Sequence, residues 1–448
     1  MTEPKSLRNI AIIAHVDHGK TTLVDCLLKQ SGTFRENEAT SERMMDSNDL
    51  ERERGITILA KTTSVVWGDT RINIVDTPGH ADFGGEVERI LSMVDGAIVL
   101  VDAAEGPMPQ TKFVVSKALK IGLRPIVAVN KIDKPERRPD EVINEVFDLF
   151  DALGADDDQL DFPILYGSAK NGWMSTQYEE ERVDMDELFD LVVKHVPEPT
   201  VEEGPFRMLA TTIGADNFLG RILTGRVSSG TVKPNQTVKV LARDGSLVES
   251  GRVSKVLAFR GLQRETIEVG EAGDIVSISG LQKANVADTF VDPSVTEPIE
   301  AQPIDPPTLS MTFRVNDSPL AGTEGDKVTS RVIWARLEKE AEGNVALKVE
   351  RSTDAESFVV SGRGELQLAV LIETMRREGY ELGVSRPQVL YKEGEGGKRL
   401  EPIEEVVIDV DDEFSGAVVQ KLSERKADMV EMKQSGVGRT RMVFHAPT

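Results

Sequence analysis

The sequence contains a single cysteine, few aromatic residues and a deficit of positive charge. Cys26 has no second cysteine with which to form a disulfide, and no metal-binding cluster surrounds it. Aromatic residues make up 5% of the 448 residues while hydrophobic residues make up 39%, so the cores must be mainly aliphatic. The formal net charge of -23 excludes non-specific binding of nucleic acids such as DNA over the whole surface.

Long apolar runs are also missing. Residues 1–9 are polar and do not resemble a secretion signal. No run approaches the roughly 20 apolar residues that a membrane-spanning helix needs. We therefore expect a cytoplasmic protein with no membrane partner, long enough for about three or four domains.

In residues 1–200, short aliphatic runs alternate with segments of helical periodicity. This alternation predicts buried parallel strands in a doubly wound α/β sheet, and ligands of such sheets bind at the carboxyl ends of the strands. The predicted strands are Ile10–Ala14, Ile72–Val75, Gly96–Val101, Pro125–Asn130 and Phe162–Leu165.

The first predicted strand leads into the segment AHVDHGKT, residues 14–21, and then into a predicted helix. A strand, a tight loop and a helix that opens with Gly-Lys-Thr are typical of a phosphate-binding loop. Lys20 would reach the β- and γ-phosphates, and the Thr21 hydroxyl would bind Mg²⁺. An ordinary turn is the alternative, because Ala14 stands where the general pattern has glycine. The candidate phosphate-binding residues are Asp17, His18, Gly19, Lys20, Thr21 and Thr22.

A second motif, Asp76-Thr77-Pro78-Gly79-His80, follows the strand at 72–75. Asp76 is placed to hold Mg²⁺, the Gly79 N–H to meet a γ-phosphate, and His80 to orient an attacking water. Before this motif, the polar segment from Gly32 to Arg54 is predicted to be a loop that ligand orders. Thr57, just after it, could supply a second hydroxyl to Mg²⁺.

Two further motifs favour guanine as the base. Asn130-Lys131-Ile132-Asp133 follows the strand at 125–130, and the Asp133 carboxylate can accept two hydrogen bonds from guanine but not from adenine. Asn130 and Lys131 would brace the loop and cover the ring. In Ser168-Ala169-Lys170, a backbone N–H can meet the guanine oxygen.

This ordered set of motifs resembles that of the translational GTPases, which often open the phosphate loop with alanine. The resemblance implies binding of GTP or GDP with Mg²⁺ on Thr21, Thr57 and Asp76, and a water-positioning role for His80. It further implies an apolar gate formed by Val16 and Ile56 near His80, and a monovalent cation near Asp17.

Beyond a Pro- and Glu-rich linker, residues 201–300 show short β-branched runs between glycines, which predict an antiparallel β-barrel. Residues 301–390 show the order β-α-β-β-α-β of a ferredoxin-like α+β domain. Residues 391–448 predict a partial second domain of this kind. Its expected elements are a strand over 401–410, a helix over Ser415–Glu431 and a strand over 442–445.

The order of these domains resembles that of the BipA family, also called TypA. Arg386-Pro387 with Lys392-Glu393 runs almost directly into Glu401-Pro402-Ile403-Glu404, and Glu424-Arg425-Lys426-Ala427-Asp428-Met429 follows. The resemblance covers essentially the whole chain. Because the family carries a further C-terminal domain, it also implies that this chain is truncated.

We expect from this resemblance a monomeric GTPase that binds the ribosome, through ribosomal RNA and proteins, and acts on ribosome function or assembly under stress. A LepA-like elongation factor is the alternative within the class. A GTP-gated ribosome-binding scaffold with negligible catalysis is an alternative from another class. Asp133 argues against an ATP-dependent enzyme.

Overall fold

The structure is a computed structural model. It describes residues 4–32, 49–54, 57–58, 60–178, 184–216, 218–301, 306–344, 346–354, 356–434 and 438–447. The chain divides into two compact units, residues 1–304 with 342–345 and residues 305–341 with 346–448.

The first unit begins with an α/β domain built on one sheet. Its strands lie in the order β2-β3-β1-β4-β5-β6-β7, in which β2 and β7 are antiparallel to their neighbours and the others are parallel. Buried aliphatic side chains on both faces explain why the central strands are almost continuously apolar. The strands are β1 (Ser6–Ala14), β2 (Lys61–Trp67), β3 (Thr70–Asp76), β4 (Gly96–Asp102), β5 (Arg124–Asn130), β6 (Ile164–Ser168) and β7 (Trp173–Ser175).

Helices cover both faces of this sheet. The apolar faces of α3, α4 and α5 pack on one side, and those of α1 and α7 pack on the other. All five predicted strands lie where the sequence places them, within a few residues at each end. The helices are α1 (Lys20–Gln30), α2 (Asp49–Arg54), α3 (Gly84–Leu91), α4 (Pro109–Lys120), α5 (Pro139–Ala152), α6 (Asp157–Leu160) and α7 (Asp186–His195).

The part of the segment Gly32–Arg54 that the structure describes is not all loop. Residues 33–48 lie outside the described residues, but Asp49–Arg54 forms the helix α2. Leu50 is buried, and the Glu51 side chain is fully buried. The prediction of a loop was therefore wrong for Asp49–Arg54. Leu50 and Glu51 are buried there, and the polar composition of the segment does not indicate this burial.

An antiparallel barrel follows within the same unit, as predicted. Its strands lie in the order β13-β12-β18-β8-β10-β17-β14-β15, with β9 also on β10, and β11 pairs with β16. The strands are β8 (Arg207–Leu209), β9 (Thr212–Asp216), β10 (Gly220–Ser229), β11 (Thr231–Val232), β12 (Thr237–Leu241), β13 (Leu247–Arg252), β14 (Lys255–Arg260), β15 (Gln263–Ile267), β16 (Gly270–Glu271), β17 (Ile275–Ser279) and β18 (Thr289–Val291).

Buried polar groups join the barrel to the α/β domain. Asn9 donates to the Gly273 carbonyl at 2.9 Å, and Asn73 donates to Asp274 at 3.0 Å. Arg226 of the barrel pairs with Asp95 at 2.8 Å. Because each buried polar group needs its partner, these bonds fix one arrangement of the two domains.

The second unit begins with a ferredoxin-like domain whose strands lie in the order β20-β21-β19-β22, with β23 also on β19. The helices α8 and α9 bury Ile333, Leu337, Leu368 and Met375 against Phe313 and Phe358 of the sheet. The elements are β19 (Leu309–Val315), α8 (Ser330–Gly343), β20 (Lys348–Arg351), β21 (Ser357–Gly362), α9 (Glu365–Arg377), β22 (Leu382–Val384) and β23 (Gln388–Val389).

The final segment forms a partial second ferredoxin-like domain. After β24 (Lys392–Glu393) and β25 (Arg399–Leu400) come β26 (Ile403–Asp411), α10 (Ser415–Glu424), β27 (Asp428–Gln434) and β28 (Arg439–Pro447). The sheet order is β26-β28-β27. Helix α10 packs Val418, Val419 and Leu422 on this sheet.

The predicted helix over Ser415–Glu431 was wrong in its second half. The helix ends at Glu424, and Lys426 then adopts a left-handed conformation with φ 60°. Met429 lies in an exposed strand, β27, rather than on the buried face of a helix. The apolar spacing of Val418, Leu422 and Met429 fits a helix, but pairing with β28 decides the conformation after the turn.

Candidate functional site

The phosphate loop joins β1 to α1 at the carboxyl edge of the α/β sheet. Gly19 has φ 99°, and a Cβ there would collide with Nδ2 of Asn130, so this position accepts only glycine. Asp17 also has a positive φ of 63°. The loop is thus held in a compact, strained conformation immediately before the first turn of α1.

Lys20 and Asp76 lie together beneath this loop. Both are buried, and the Lys20 Nζ lies 2.8 Å from Oδ1 of Asp76 and also donates to the Thr77 carbonyl. The Thr77 hydroxyl in turn donates to the Ile12 carbonyl at 2.8 Å, which ties the end of β3 to β1. Adjacent parallel strands therefore bring together the lysine and the carboxylate that the sequence places 56 residues apart.

Thr57 joins this pair. Its hydroxyl lies 3.4 Å from Oδ2 of Asp76, at the far end of hydrogen-bonding distance. The next residue, Ile58, donates its backbone N–H to the Glu51 carboxylate at 2.9 Å, and Lys61 pairs with the same carboxylate. Sequence analysis did not single out Glu51; its position six residues before Thr57 in a charged segment gave no signal that it would be buried.

Gly79 and His80 follow the same strand. A Cβ on Gly79 would lie 3.1 Å from the Ala14 carbonyl, so glycine allows this segment to approach the phosphate loop closely. The His80 Nδ1 accepts a hydrogen bond from the Asp82 backbone N–H at 3.2 Å and lies 3.3 Å from the Asp82 carboxylate. The ring is about one-third exposed, so Nε2 is the ring nitrogen available to a water molecule.

The predicted base-binding motifs lie beside the loop and are held by it. Asn130 donates to the His18 carbonyl at 2.8 Å and accepts from the Ala169 N–H at 2.9 Å. Lys131, at φ 61°, donates to the Asp17 carbonyl at 2.6 Å. Asn130 thus links its own segment to the phosphate loop and to the 168–170 turn, which are far apart in sequence.

Asp102, at the end of β4, anchors this region. Its buried carboxylate lies 2.8 Å from the Lys131 Nζ and 2.9 Å from the Lys134 Nζ, and it accepts from the Ala104 N–H at 2.8 Å. Burial alone would raise the pKa of Asp102, but hydrogen bonds from Lys131 and Lys134 outweigh it and lower the pKa to about 2. Sequence analysis missed Asp102, although its position at a strand end was an available signal.

The remaining base-binding candidates differ in their availability. Asp133 is exposed, and the structure gives its carboxylate no partner among the described residues. Ser168 and Ala169 are buried, while Lys170 is exposed. Because the Ala169 N–H already donates to Asn130, a guanine oxygen would have to share that group or use another N–H of this turn.

The His18 side chain is directed into the protein. Its ring is fully buried, with Nδ1 3.4 Å from the Leu100 carbonyl and Nε2 3.5 Å from Glu105. A hydrogen bond from His18 holds the pKa of Glu105 below its ordinary value. The ring therefore supports the loop from below, and only the backbone of His18 remains for a ligand.

The oxygen atoms near Asp76 fit Mg²⁺. Oδ1 of Asp76 is buried and accepts no well-aligned hydrogen bond from the described residues, although Lys20 lies beside it. A carboxylate and a threonine hydroxyl are hard oxygen donors of the type that Mg²⁺ binds, with phosphate and water completing the shell. The described residues contain no group of three His, Cys, Asp or Glu side chains that could hold a metal without such help.

Some candidates stay predictions. Thr21 and Thr22 occupy the first turn of α1, at the helix end that favours anions. Ile56 lies outside the described residues, so the structure describes only Val16 of the two residues in the predicted gate.

No helix in the described part of the chain combines the length and apolar character needed to cross a membrane.

Three family models match the chain in sequence order. The elongation factor Tu GTP-binding domain matches residues 5–198, and elongation factor Tu domain 2 matches residues 220–291. The elongation factor G C-terminus matches residues 398–448. The first match covers the phosphate loop and all the candidate nucleotide motifs.

Whole-chain relatives are more specific. The large ribosomal subunit assembly factor BipA of Salmonella typhimurium is 54% identical over 99% of this chain and 73% of its own length. The protein of the same name from Synechocystis is 53% identical over 98% of this chain and 74% of its own length. A crystal structure from Thermus thermophilus, 16% identical, superposes with a TM-score of 0.68 over 99% of this chain and 93% of that one, which shows the shared fold.

The matches and the geometry agree on the type of site. A GTP-binding domain model covers the strand ends at which Lys20, Asp76 and Asn130 converge, so the chain is a GTPase that binds GTP or GDP with Mg²⁺. The similarity to the BipA relatives covers nearly the whole sequence. The chain belongs to the BipA family of translational GTPases.

Proposed function

We propose that this protein is a cytoplasmic, ribosome-associated GTPase that acts in assembly of the large ribosomal subunit, with a role under stress. The name of its relatives supports the assembly step. Its partners would be ribosomal RNA and proteins, contacted by local surfaces because the net charge of -23 opposes general RNA binding. It would work as a monomer, without a DNA or membrane partner.

The proposal assigns a role to each group at the site. Lys20 would neutralise the β- and γ-phosphates, while backbone N–H groups from Asp17 to Thr22 and of Gly79 would surround the phosphate oxygens. Asp133 would select guanine, and Asn130, Lys131 and the 168–170 turn would hold the base. Asp17 would also lie near a monovalent cation.

Mg²⁺, held by Thr21, Thr57 and Asp76, would neutralise charge that develops on the phosphates. His80 would orient the attacking water through Nε2, because the Asp82 backbone holds Nδ1. Contact with the ribosome would fix the orientation of this ring. Hydrolysis would then remove the γ-phosphate, Thr57 would lose its contact with Mg²⁺, and the protein would leave the ribosome.

One observation carries the proposal. A single edge of the sheet assembles a lysine–carboxylate pair for phosphate and Mg²⁺ with an Asn130-centred scaffold for the base. An exposed carboxylate, Asp133, lies three residues beyond Asn130, at a position suited to read guanine.

The test is GTP hydrolysis with and without ribosomes, for the wild type and His80→Ala. We expect His80→Ala to change GTP affinity less than about twofold and to lower ribosome-stimulated hydrolysis roughly 10²- to 10⁴-fold. His195→Ala is the matched control, because that histidine lies in α7, away from the predicted motifs. Equal losses of affinity and of hydrolysis would contradict the role of His80.

Ribosome assembly needs its own measurement. Cells that lack the protein should accumulate precursors of the large subunit, visible as altered sedimentation profiles, and the wild-type gene should restore the profile while the His80→Ala gene should not. Restoration by His80→Ala would favour the GTP-gated scaffold over the hydrolysing enzyme.

A further inference from the structure

A cavity of about 350 Å³ lies between the α/β domain and the barrel, away from the candidate nucleotide-binding residues. From the α/β domain it is lined by the end of α3 and the following turn, including Arg89, Ser92 and Met93. From the barrel it is lined by residues that include Thr211 and Arg226. Its volume lies at the small end of the range typical of sites for small molecules.

Arg89 is the distinctive group in this cavity. Arg89 is only 9% exposed, and its Nε and Nη1 atoms are buried without a hydrogen-bond partner among the described residues. Burial lowers the pKa of Arg89, although Glu86 and Glu88 on the same helix oppose the shift. Glu88 forms its ion pair with Lys117 instead.

An unpaired buried guanidinium is costly. Burial of a charged group without a partner destabilises the folded state, even after relaxation of the protein. The position of Arg89 in the last turn of α3 compensates only in part, because the favourable effect of a helix dipole on a cation is smaller than this desolvation cost. A bound anion would supply the acceptors that the protein does not.

The surrounding groups define which anion would fit. Arg226 also lines the cavity but is already paired with Asp95 at 2.8 Å, and the Thr211 hydroxyl donates to the Thr224 carbonyl. Glu202 and Glu300 line the cavity as well, but both are exposed, and Glu202 pairs with Arg207 at 3.5 Å. Arg89 is therefore the buried cation with free donors, and its fork matches a carboxylate or a phosphate group.

We propose that this cavity binds a small anion with a carboxylate or phosphate group through the Arg89 guanidinium. The bound anion would bridge α3 and the barrel and so stabilise their contact. Because the site lies apart from the phosphate loop, its occupancy does not depend on the catalytic assignments.

The test measures thermal unfolding of the protein loaded with Mg²⁺ and a non-hydrolysable GTP analogue, so that the β- and γ-phosphate positions of the nucleotide site are already filled. Inorganic phosphate and acetate are titrated separately at constant ionic strength. We expect a saturable rise in the unfolding midpoint with at least one of them, and the stronger response identifies the anion class. Arg89→Met, which keeps the length of the side chain but not its charge, should weaken the apparent affinity at least tenfold.

Arg252→Met is the matched control, because it removes an exposed arginine of the barrel that does not line the cavity and should respond as the wild type does. If Arg89→Met does not fold, Arg89→Lys takes its place and should weaken binding by the loss of the two-pronged donor geometry. Equal responses of the wild type and the Arg89 variant, or no response of the wild type to either probe, would overturn the proposal.

Discussion

The two halves of the nucleotide site are built differently. Around the predicted base position, Asn130 and Lys131 are fixed by bonds to the backbone of other loops and to Asp102. Around the predicted phosphate and Mg²⁺ position, Lys20, Asp76 and Thr57 contact one another. The first half is already fixed by internal bonds, whereas the groups of the second half would have to exchange partners if phosphates and Mg²⁺ bind there as proposed.

This difference predicts that the two halves contribute separately, one to selection of the base and the other to binding of the phosphates. On the proposed assignment, the base half would select guanine with little rearrangement, because its hydrogen bonds are internal and would remain in place. In the phosphate half, the phosphates would take over the Lys20 charge that now balances Asp76. We therefore expect substitutions in the phosphate half to affect ligand affinity most, and those in the base half to affect selectivity and stability.

Among the effects on nucleotide binding, the largest should come from Lys20→Ala. Loss of the charged donor to two phosphates should weaken GTP binding by about 3–4 kcal/mol, or roughly 10²- to 10³-fold. Lys29→Ala, exposed on the same helix, is the control. Titration with a fluorescent GTP analogue measures both, and a loss below tenfold for Lys20→Ala would refute its predicted contact with phosphate.

Asp133→Asn tests the base half. An amide in place of the carboxylate can no longer accept both guanine hydrogen bonds, but it suits xanthine. The ratio of GTP to XTP affinity should fall roughly 100-fold, on the order of 3 kcal/mol. Asp140→Asn is an exposed control, and an unchanged ratio for Asp133→Asn would exclude the assigned role.

Asp102→Asn should reduce stability more than it reduces phosphate binding. At pH 7 the change removes the charged acceptor for Lys131 and Lys134 and should lower the free energy of unfolding by about 1–3 kcal/mol. Because the pKa of Asp102 is lowered from 3.8 to about 2, its contribution is present above pH 3.8 and is lost as the pH falls toward 2.

Urea denaturation at several pH values checks this prediction. The difference in unfolding free energy between the wild type and Asp102→Asn should narrow as the pH falls from 3.8 to about 2. Asp151→Asn, an exposed substitution, should show no such trend. If the difference in unfolding free energy is constant with pH, stabilisation by the ion pairs of Asp102 with Lys131 and Lys134 is excluded.

The smallest effect should come from Glu51→Gln. Glutamine can still accept from the Ile58 N–H but no longer balances Lys61, so Thr57 should be held less firmly. We expect stimulated GTP hydrolysis to fall about fivefold, or ~1 kcal/mol, with GDP affinity unchanged. Glu53→Gln on the same helix is the control, and an equal loss of GDP affinity would contradict action through Thr57.

The local pattern of aliphatic residues was enough to predict five strands of the α/β domain and the motifs that follow them. Aliphatic runs such as Ile10–Ala14 are buried on both sides, so their composition identifies them, and the motifs follow at their carboxyl ends. Pattern was insufficient where long-range pairing decides the outcome. The strand β2 and the change from helix to strand after Glu424 depend on β3 and β28, which lie elsewhere in the sequence.

The sequence by itself determined the order of domains, the position of the phosphate loop and the candidate nucleotide residues, because each is written in a short contiguous segment. Only the tertiary structure placed Glu51 beside Ile58, Asp102 between two lysines and Arg89 in a cavity where the described residues give two of its nitrogen atoms no acceptor. Burial and charge pairing depend on which distant segments meet in space, so a local signal such as the strand-end position of Asp102 does not identify the partners.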